Sequence, residues 1–266
     1  MPIRLEPTPT FADALRSAAR PLTGMWVCSG SALIAEICAG SGVDCLLIDG
    51  EHSANGLESI LAQLQAVAAY PVTPLVRAPI GDTVIVKQLL DIGAQNLLIP
   101  MVNDADQARA MAAAVRYPPA GVRGVGSALA RSTRWNRIDD YLERADGLVS
   151  LTVQIESAEA VAAVDEILAV DGVDAVFVGP ADLAASMGVR GHQDHPDVVA
   201  AVGRTIAAAA RAGKPAGVNA FDPAMAQHYL DAGASFVFVG ADVALLARAS
   251  EALAERFAGE RGGDRP

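Results

Sequence analysis

The chain has 266 residues, and its 31 acidic and 20 basic side chains give a formal net charge of −11 at pH 7. This balance excludes a general nucleic-acid or polyanion binder, because phosphate neutralisation needs clustered Lys and Arg. With 52% hydrophobic and 19% charged residues, the chain is neither disordered nor fibrous and can bury a large core. Its length fits two ordinary domains or one closed α/β barrel.

Short runs rich in Leu and β-branched residues alternate with Ala-rich stretches of helical periodicity, which predicts repeated βα units around a parallel sheet. The predicted strands are 23–29, 45–49, 74–78, 96–101, 151–155, 175–178, 216–219 and 236–239. The predicted helices are 31–39, 56–69, 82–92, 104–115, 158–169, 195–212, 222–232 and 243–257. No Pro/Ser-rich linker divides them, so the pattern favours a single (β/α)8 TIM barrel over residues 1–258.

Two segments fall outside this repeat. Residues 118–148 form a connection long enough to be a lid, a binding loop or a subunit contact, and they include the basic stretch 131–137. Residues 259–266 are rich in Gly and charge and are predicted to be a disordered tail.

The chain carries no signal for a membrane or an oxidising compartment. Its apolar runs are far shorter than the roughly 20 residues of a membrane span, and residues 1–20 lack the apolar core of a secretion signal. The three cysteines have no metal-ligand spacing, so we expect buried reduced thiols. We therefore expect a cytoplasmic protein with no membrane partner.

Carboxylates stand at the ends of two predicted neighbouring strands, where barrels of this type build their active sites. These are Glu156 and Asp182. Two carboxylates that leave positions open for water and substrate suit Mg²⁺ or Mn²⁺. The alternative is that either carboxylate caps the helix that follows it, and the residues alone leave both interpretations open.

His52 and Arg77 are the candidates for proton transfer and oxyanion stabilisation. His52 follows a predicted strand, and histidine is the natural side chain for proton transfer, although His52 could equally be a hydrogen-bonded imidazole of a βα loop. Arg77 interrupts an apolar strand with a permanent charge, which either stabilises an oxyanion or pairs with a structural carboxylate. The two lysines, Lys87 and Lys214, lie away from the predicted mouth, so carbonyl chemistry would depend on a metal rather than on a Schiff base.

Five short motifs occur in a fixed order along the chain: LLIDGEHS at 46–53, PLVR at 74–77, GVRGVG at 121–126, QIE at 154–156 and VGPADL at 178–183. Together they resemble the HpcH/HpaI aldolase/citrate lyase family, in particular its class II pyruvate aldolases of the 4-hydroxy-2-oxoheptanedioate and 2-keto-3-deoxy-sugar-acid type. The similarity extends from about residue 12 to about residue 256.

The resemblance implies a homohexamer, a trimer of dimers that exchange the last helix. It implies a divalent cation, Mg²⁺, Mn²⁺ or Co²⁺, held by Glu156 and Asp182, and no nucleotide cofactor. Arg77 would bind the oxo acid and stabilise its enolate, and His52, oriented by Asp91, would move the proton of the aldehyde hydroxyl. The remaining implied substrate-binding residues are Gln154, the backbone at Gly179, Pro180, Ala181 and Asp182, and Asp49, which in related enzymes reaches toward a neighbouring subunit's site.

The resulting prediction is a metal-dependent aldolase that reversibly splits a 4-hydroxy-2-oxo acid, of the 2-keto-3-deoxy acid type, into pyruvate or hydroxypyruvate and an aldehyde. A citrate-lyase-like acyl-CoA lyase is the main competing hypothesis, with residues 131–137 as the candidate nucleotide groove. Two further hypotheses are a phosphate-binding barrel, with residues 217–219 and 240–242 at the anion, and a non-catalytic ligand sensor.

Overall fold

The structure, a computed structural model, describes residues 3–258. Its strands are β1 (Leu22–Val27), β2 (Cys45–Asp49), β3 (Thr73–Arg77), β4 (Asn96–Ile99), β5 (Ser150–Ile155), β6 (Ala175–Val178), β7 (Ala216–Asn219) and β8 (Phe236–Ala241). Each strand pairs in parallel with the next one along the chain, and β8 closes on β1. The predicted (β/α)8 barrel is confirmed. The predicted tail, 259–266, lies outside the described residues.

The α-helices are α1 (Phe11–Ser17), α2 (Ala32–Ala39), α3 (Leu57–Ala66), α4 (Thr83–Asp91), α5 (Ala105–Val115), α6 (Tyr141–Arg144), α7 (Ala158–Ala162), α8 (Val164–Leu168), α9 (Pro180–Ser186), α10 (Pro196–Arg211), α11 (Pro223–Asp231) and α12 (Asp242–Ala258). A short 3₁₀ turn, Val67–Ala69, extends α3. Among residues 3–258, no helix is long and apolar enough to cross a membrane.

The predicted elements differ from the observed ones at three helices. The helix predicted over 158–169 is divided into α7 and α8, because Ala163 departs from helical geometry. The short helix α9 begins directly after β6, and α1 precedes the first strand. Neither was predicted, since each has only seven residues.

Aromatic side chains fill the inside of the barrel. Phe177, Phe236 and Phe238 meet there with ring centroids 5.5 to 6.2 Å apart. Phe11 of α1 closes the amino-terminal end of the barrel, with its ring 5.0 Å from that of Phe236. Glycine gives these rings their space, since a Cβ on Gly217 would lie 2.1 Å from the Phe236 ring.

Residues 118–148 lie toward the amino-terminal ends of the strands, because they connect the end of α5 to the start of β5. Their basic stretch is tied to backbone. Arg131 donates to the carbonyls of Ile92 and Leu64, and Arg134 donates to the carbonyl of Arg131. The segment therefore packs beside its own barrel rather than covering its own mouth.

The expectation of buried cysteines holds for two of the three. Cys38 and Cys45 are buried, Cys28 is partly buried, and all three are free.

The glycine under Phe236 gives the first prediction. Gly217→Ala should lower the free energy of unfolding by about 1–3 kcal/mol, because the added methyl meets the buried ring and overpacks the barrel. Denaturant unfolding measures the change.

The matched control is Gly203→Ala in α10, where a Cβ would meet no atom within 4 Å. Here the free energy of unfolding should stay equal or rise by up to about 1 kcal/mol, because alanine favours the helix. Equal destabilisation by both substitutions would contradict the packing argument.

Candidate active site

A buried ion-pair cluster lies where β2 and β3 end. The strand register sets Asp49 beside Arg77. The Arg77 Nε and Nη2 atoms donate to the two carboxylate oxygens of Asp49, both at 2.8 Å, and Nη1 lies 2.9 Å from Oε2 of Glu51. The side chain of Arg77 is only 6% exposed, so the two carboxylates compensate a charge that water does not reach.

This arrangement combines the two interpretations of Arg77 that the sequence left open. Arg77 has carboxylate partners, yet it stands at the carboxyl end of its strand, facing the mouth. Asp49 is 1% exposed, and both its oxygens bind Arg77 of the same chain.

Two residues at the site make contacts that the sequence did not predict, although Asn219 belongs to the segment 217–219 of the phosphate hypothesis. The Trp26 ring lies against the flat face of Arg77, with Cζ 4.4 Å from the ring centroid. The Trp26 indole N–H donates to Oδ1 of Asn219 at 2.8 Å. A polar side chain at the end of β7 was the available signal, but the sequence does not show that it contacts β1.

Glu156 is held by contacts from two sides. Its Oε1 accepts the backbone N–H of Met101 at 2.8 Å, and its Oε2 accepts from the side-chain amide of Gln154. Met101 itself adopts a positive φ of 54°, an uncommon conformation for a residue with a side chain. A Cβ on Gly179 would lie 2.9 Å from both Gln154 Nε2 and Glu156 Oε2, so glycine leaves this space open.

Neither predicted metal-binding carboxylate caps a helix. Ser157, rather than Glu156, caps α7, since its hydroxyl accepts the N–H of Ala160. Gly179 is the cap residue of α9, and no side chain caps that helix; Asp182 lies within its first turn. The capping alternative is therefore wrong for both Glu156 and Asp182.

The electrostatics of the site are dominated by buried carboxylates. Burial raises the pKa of Glu156 to about 7, and the nearby charges of Asp182 and Glu51 act in the same direction. Burial also raises the pKa of Glu51. Burial acts to raise the pKa of Asp49 too, but its hydrogen bonds with Arg77 outweigh that effect and the pKa is lowered.

These groups fit a divalent cation. Three carboxylates, those of Glu51, Glu156 and Asp182, interact electrostatically, and the Oε1 atom of Gln154 is buried with no hydrogen-bond partner among the described residues. Residues 3–258 contain no group of three or more His, Cys, Asp or Glu side chains arranged about one metal position. A cation would thus rest on two carboxylates and on oxygens of substrate and water, as Mg²⁺ often does.

The structure does not bring His52 and Asp91 together within one chain. His52 is 65% exposed at the mouth, with Nε2 4.0 Å from Oε1 of Glu51. Asp91 ends α4, which runs back toward the amino-terminal end of the barrel. The carboxylate of Asp91 lies instead beside Gly126, and burial raises its pKa against the opposing charge of Arg123.

The HpcH/HpaI aldolase/citrate lyase family model matches residues 22–249. The chain belongs to this family. A 4-hydroxy-2-oxo-heptane-1,7-dioate aldolase of Salmonella dublin is 54% identical over 251 residues, which are 94% of this chain and 95% of the relative.

Solved structures agree with this assignment. A family member from Burkholderia cenocepacia J2315 is 40% identical with a TM-score of 0.90, covering 94% of this chain and all of that one. An HpcH/HpaI aldolase from Desulfitobacterium hafniense DCB-2 is 30% identical with a TM-score of 0.85, covering 97% of this chain and 100% of that one. The predicted enzyme class, a carbon–carbon lyase of the aldolase type, is confirmed.

The raised pKa of Glu156 predicts a pH-dependent response to metal. A carboxyl whose folded-state pKa is raised stabilises the fold at acidic pH, and this contribution is lost as the pH rises through its folded pKa of about 7. A divalent cation prefers the deprotonated carboxylate, so the gain in Tm on adding Mn²⁺ should be larger at about pH 8 than at about pH 5.5. Thermal unfolding with and without Mn²⁺ at both pH values measures it.

Glu156→Gln should remove the Mn²⁺-dependent gain in Tm, whereas the exposed Glu159→Gln on the neighbouring helix α7 should retain it. A wild-type gain that is the same at both pH values would argue against Glu156 as a ligand.

Proposed function

We propose that the protein is a divalent-metal-dependent aldolase that reversibly cleaves a 4-hydroxy-2-oxo acid of the 2-keto-3-deoxy acid type to pyruvate, or hydroxypyruvate, and an aldehyde. One observation carries the proposal: a fixed guanidinium, Arg77, shares one end of the barrel with Glu156 and Asp182, which cap no helix. The substrate in the name of the Salmonella dublin relative, 4-hydroxy-2-oxo-heptane-1,7-dioate, supports this substrate class.

Glu156 and Asp182 would hold the cation, which is Mg²⁺, Mn²⁺ or Co²⁺ in this proposal. When bound, it would supply a Lewis acid for the keto oxygen of the substrate. Gln154 would fix the orientation of Glu156 through its amide N–H. The backbone from Gly179 to Asp182, which begins α9 without a side-chain cap, would receive the pyruvate carboxylate.

Arg77 would stabilise the negative charge that develops on the keto oxygen as the carbon–carbon bond breaks. Its hydrogen bonds to Asp49 use the Nε–H and one N–H of Nη2, and Nη1 contacts Glu51 as an ion pair, so Nη1 and Nη2 keep N–H groups for the substrate. A donor already fixed by Asp49 and Glu51 needs no reorganisation during the reaction, which is the condition for effective oxyanion stabilisation.

His52 would take the proton of the C4 hydroxyl, because it is the histidine at the mouth and a neutral imidazole is a competent base. An Asp91 that orients His52 would have to come from a second copy of the chain.

Helix α12 supports assembly, here proposed as a homohexamer built as a trimer of dimers, because it exposes a row of large apolar side chains: Val243, Leu245, Leu246, Leu253 and Phe257. A cytoplasmic location is part of the same proposal.

The structure gives little support to an acyl-CoA lyase or to a phosphate-binding barrel. Arg131 and Arg134 are among the arginines of the basic stretch 131–137 that would bind the nucleotide of coenzyme A. Both already donate to backbone carbonyls. A phosphate after β8 would face the buried carboxylate of Asp242, which accepts the backbone N–H groups of Cys28 and Ser29.

Metal removal tests the reaction class. Pyruvate release from 4-hydroxy-2-oxo-heptane-1,7-dioate should disappear after exhaustive chelation and return with Mg²⁺, Mn²⁺ or Co²⁺, since polarisation of the keto oxygen depends on the cation. A coupled assay of pyruvate measures it, with a panel of 2-keto-3-deoxy acids run alongside. Activity that survives chelation would refute the metal assignment.

Substitution of Arg77 tests the oxyanion role. Arg77→Lys keeps the charge between Asp49 and Glu51 but loses the bidentate fork, and we expect kcat to fall by about 10²–10³-fold with little loss of stability. Arg77→Ala should abolish turnover. Steady-state kinetics, with thermal unfolding to check the fold, measure both.

The exposed Arg109→Ala on α5 is the matched control and should leave kcat unchanged. Full activity of Arg77→Ala would refute the role of Arg77.

A further inference from the structure

Trp26 is held in one orientation by a bond that crosses the mouth of the barrel. It lies at the end of β1 and its hydrogen-bond acceptor, Asn219, at the end of β7; β8 separates these two strands. An indole can only donate, so the amide of Asn219 must present its oxygen to Trp26. The bond is 2.8 Å long, and Trp26 is 7% exposed while Asn219 is partly exposed, so the bond restrains the plane of a largely buried ring.

The fixed ring completes the support of Arg77. Asp49 and Glu51 bind the edge of the guanidinium, which sets its position in its own plane. Contacts at the edge alone leave the plane free to tilt. The Trp26 ring, 4.4 Å from Cζ, covers one face and restricts that tilt through a cation–π contact.

We propose that Trp26 and Asn219 form a positioning pair for Arg77, in which the hydrogen bond from the indole to Oδ1 of Asn219 sets the plane of the guanidinium. Arg77 is then aligned with the developing enolate oxygen before the substrate arrives. The proposal rests on the aldolase function proposed above. It assigns no contact with substrate to either residue of the pair.

Kinetics of matched variants test the pair. Asn219→Leu keeps the side-chain volume but removes the acceptor, and Trp26→Phe keeps an aromatic ring under Arg77 but removes the donor. Each should lower kcat by about tenfold with KM changed by less than about twofold, the size expected for one lost hydrogen bond acting on the transition state. Asn219→Asp keeps an acceptor oxygen and should stay within about threefold of wild-type kcat.

The double variant distinguishes a shared bond from two independent contributions. If both residues act through that bond, Trp26→Phe combined with Asn219→Leu should be no slower than either single variant. Multiplying losses would overturn the proposal. An Asn219→Asp variant as slow as Asn219→Leu would also overturn the proposal, because the amide N–H group of Asn219 rather than its acceptor oxygen would then matter.

An NMR experiment tests the pair without relying on activity. The chain has two tryptophans, and Trp135→Phe assigns the indole N–H signal of Trp26 by elimination. The Arg77 guanidinium lies over the ring, so the indole signal and the Arg77 Nε–H signal should both move in Asn219→Leu and stay near their wild-type positions in Asn219→Asp. Trp135 is 52% exposed on the 118–148 connection, so its replacement should leave kcat unchanged.

The two measurements separate this proposal from the proposed function. A wild-type protein that releases no pyruvate would refute the aldolase function, while the NMR signals would still report whether Asn219 anchors the ring at Arg77. An Arg77 signal that does not respond to Asn219→Leu would overturn the pair even in a fully active aldolase.

Discussion

The site depends on the buried guanidinium of Arg77 and on the strand register that places carboxylate partners beside it. Moving a guanidinium out of water costs several kcal/mol unless charges of opposite sign compensate it. The pairing of β2 with β3 places Asp49 directly beside Arg77, and the turn after β2 returns Glu51 to the same side chain. A shift of one residue in that register would turn Arg77 toward the helices and leave its carboxylates unpaired.

The charged side chains at the mouth form two groups, of which one is compensated by opposite charges and the other is not. On the β2–β3 side the guanidinium is matched by its carboxylates, whereas on the β5–β6 side burial, together with the nearby charge of Asp182, raises the pKa of Glu156 to about 7. Glu156 and Asp182 therefore gain from an added cation. A protein of net charge −11 can therefore attract an acidic oxo acid, because the cation and Arg77 would form a local positive field against the overall charge.

The sequence predicted the repeated βα units and the polar residues at the ends of the strands. Strands buried on both faces appear as apolar runs, and Arg77, Gln154 and Glu156 interrupt or end such runs. It could not predict Trp26 against Arg77 or the Asn219 anchor, because contacts across a barrel have no local signal. Nor does it show that the N–H of Met101 binds Glu156, since only the completed fold brings these two residues together.

The interior packing connects the stability of the barrel to the geometry of its site. Trp26 lies on the aromatic core, with its ring 6.1 Å from that of Phe177 and 5.9 Å from that of Phe238. Phe238 in turn meets Gly24, where a Cβ would lie 2.5 Å away. Close-packed interiors transmit small displacements rather than absorbing them. Gly24 and Gly217, which make room for the phenylalanines, therefore also determine the position at which Trp26 contacts Arg77. Packing far from the substrate thus sets the position of the group that is proposed to stabilise its enolate.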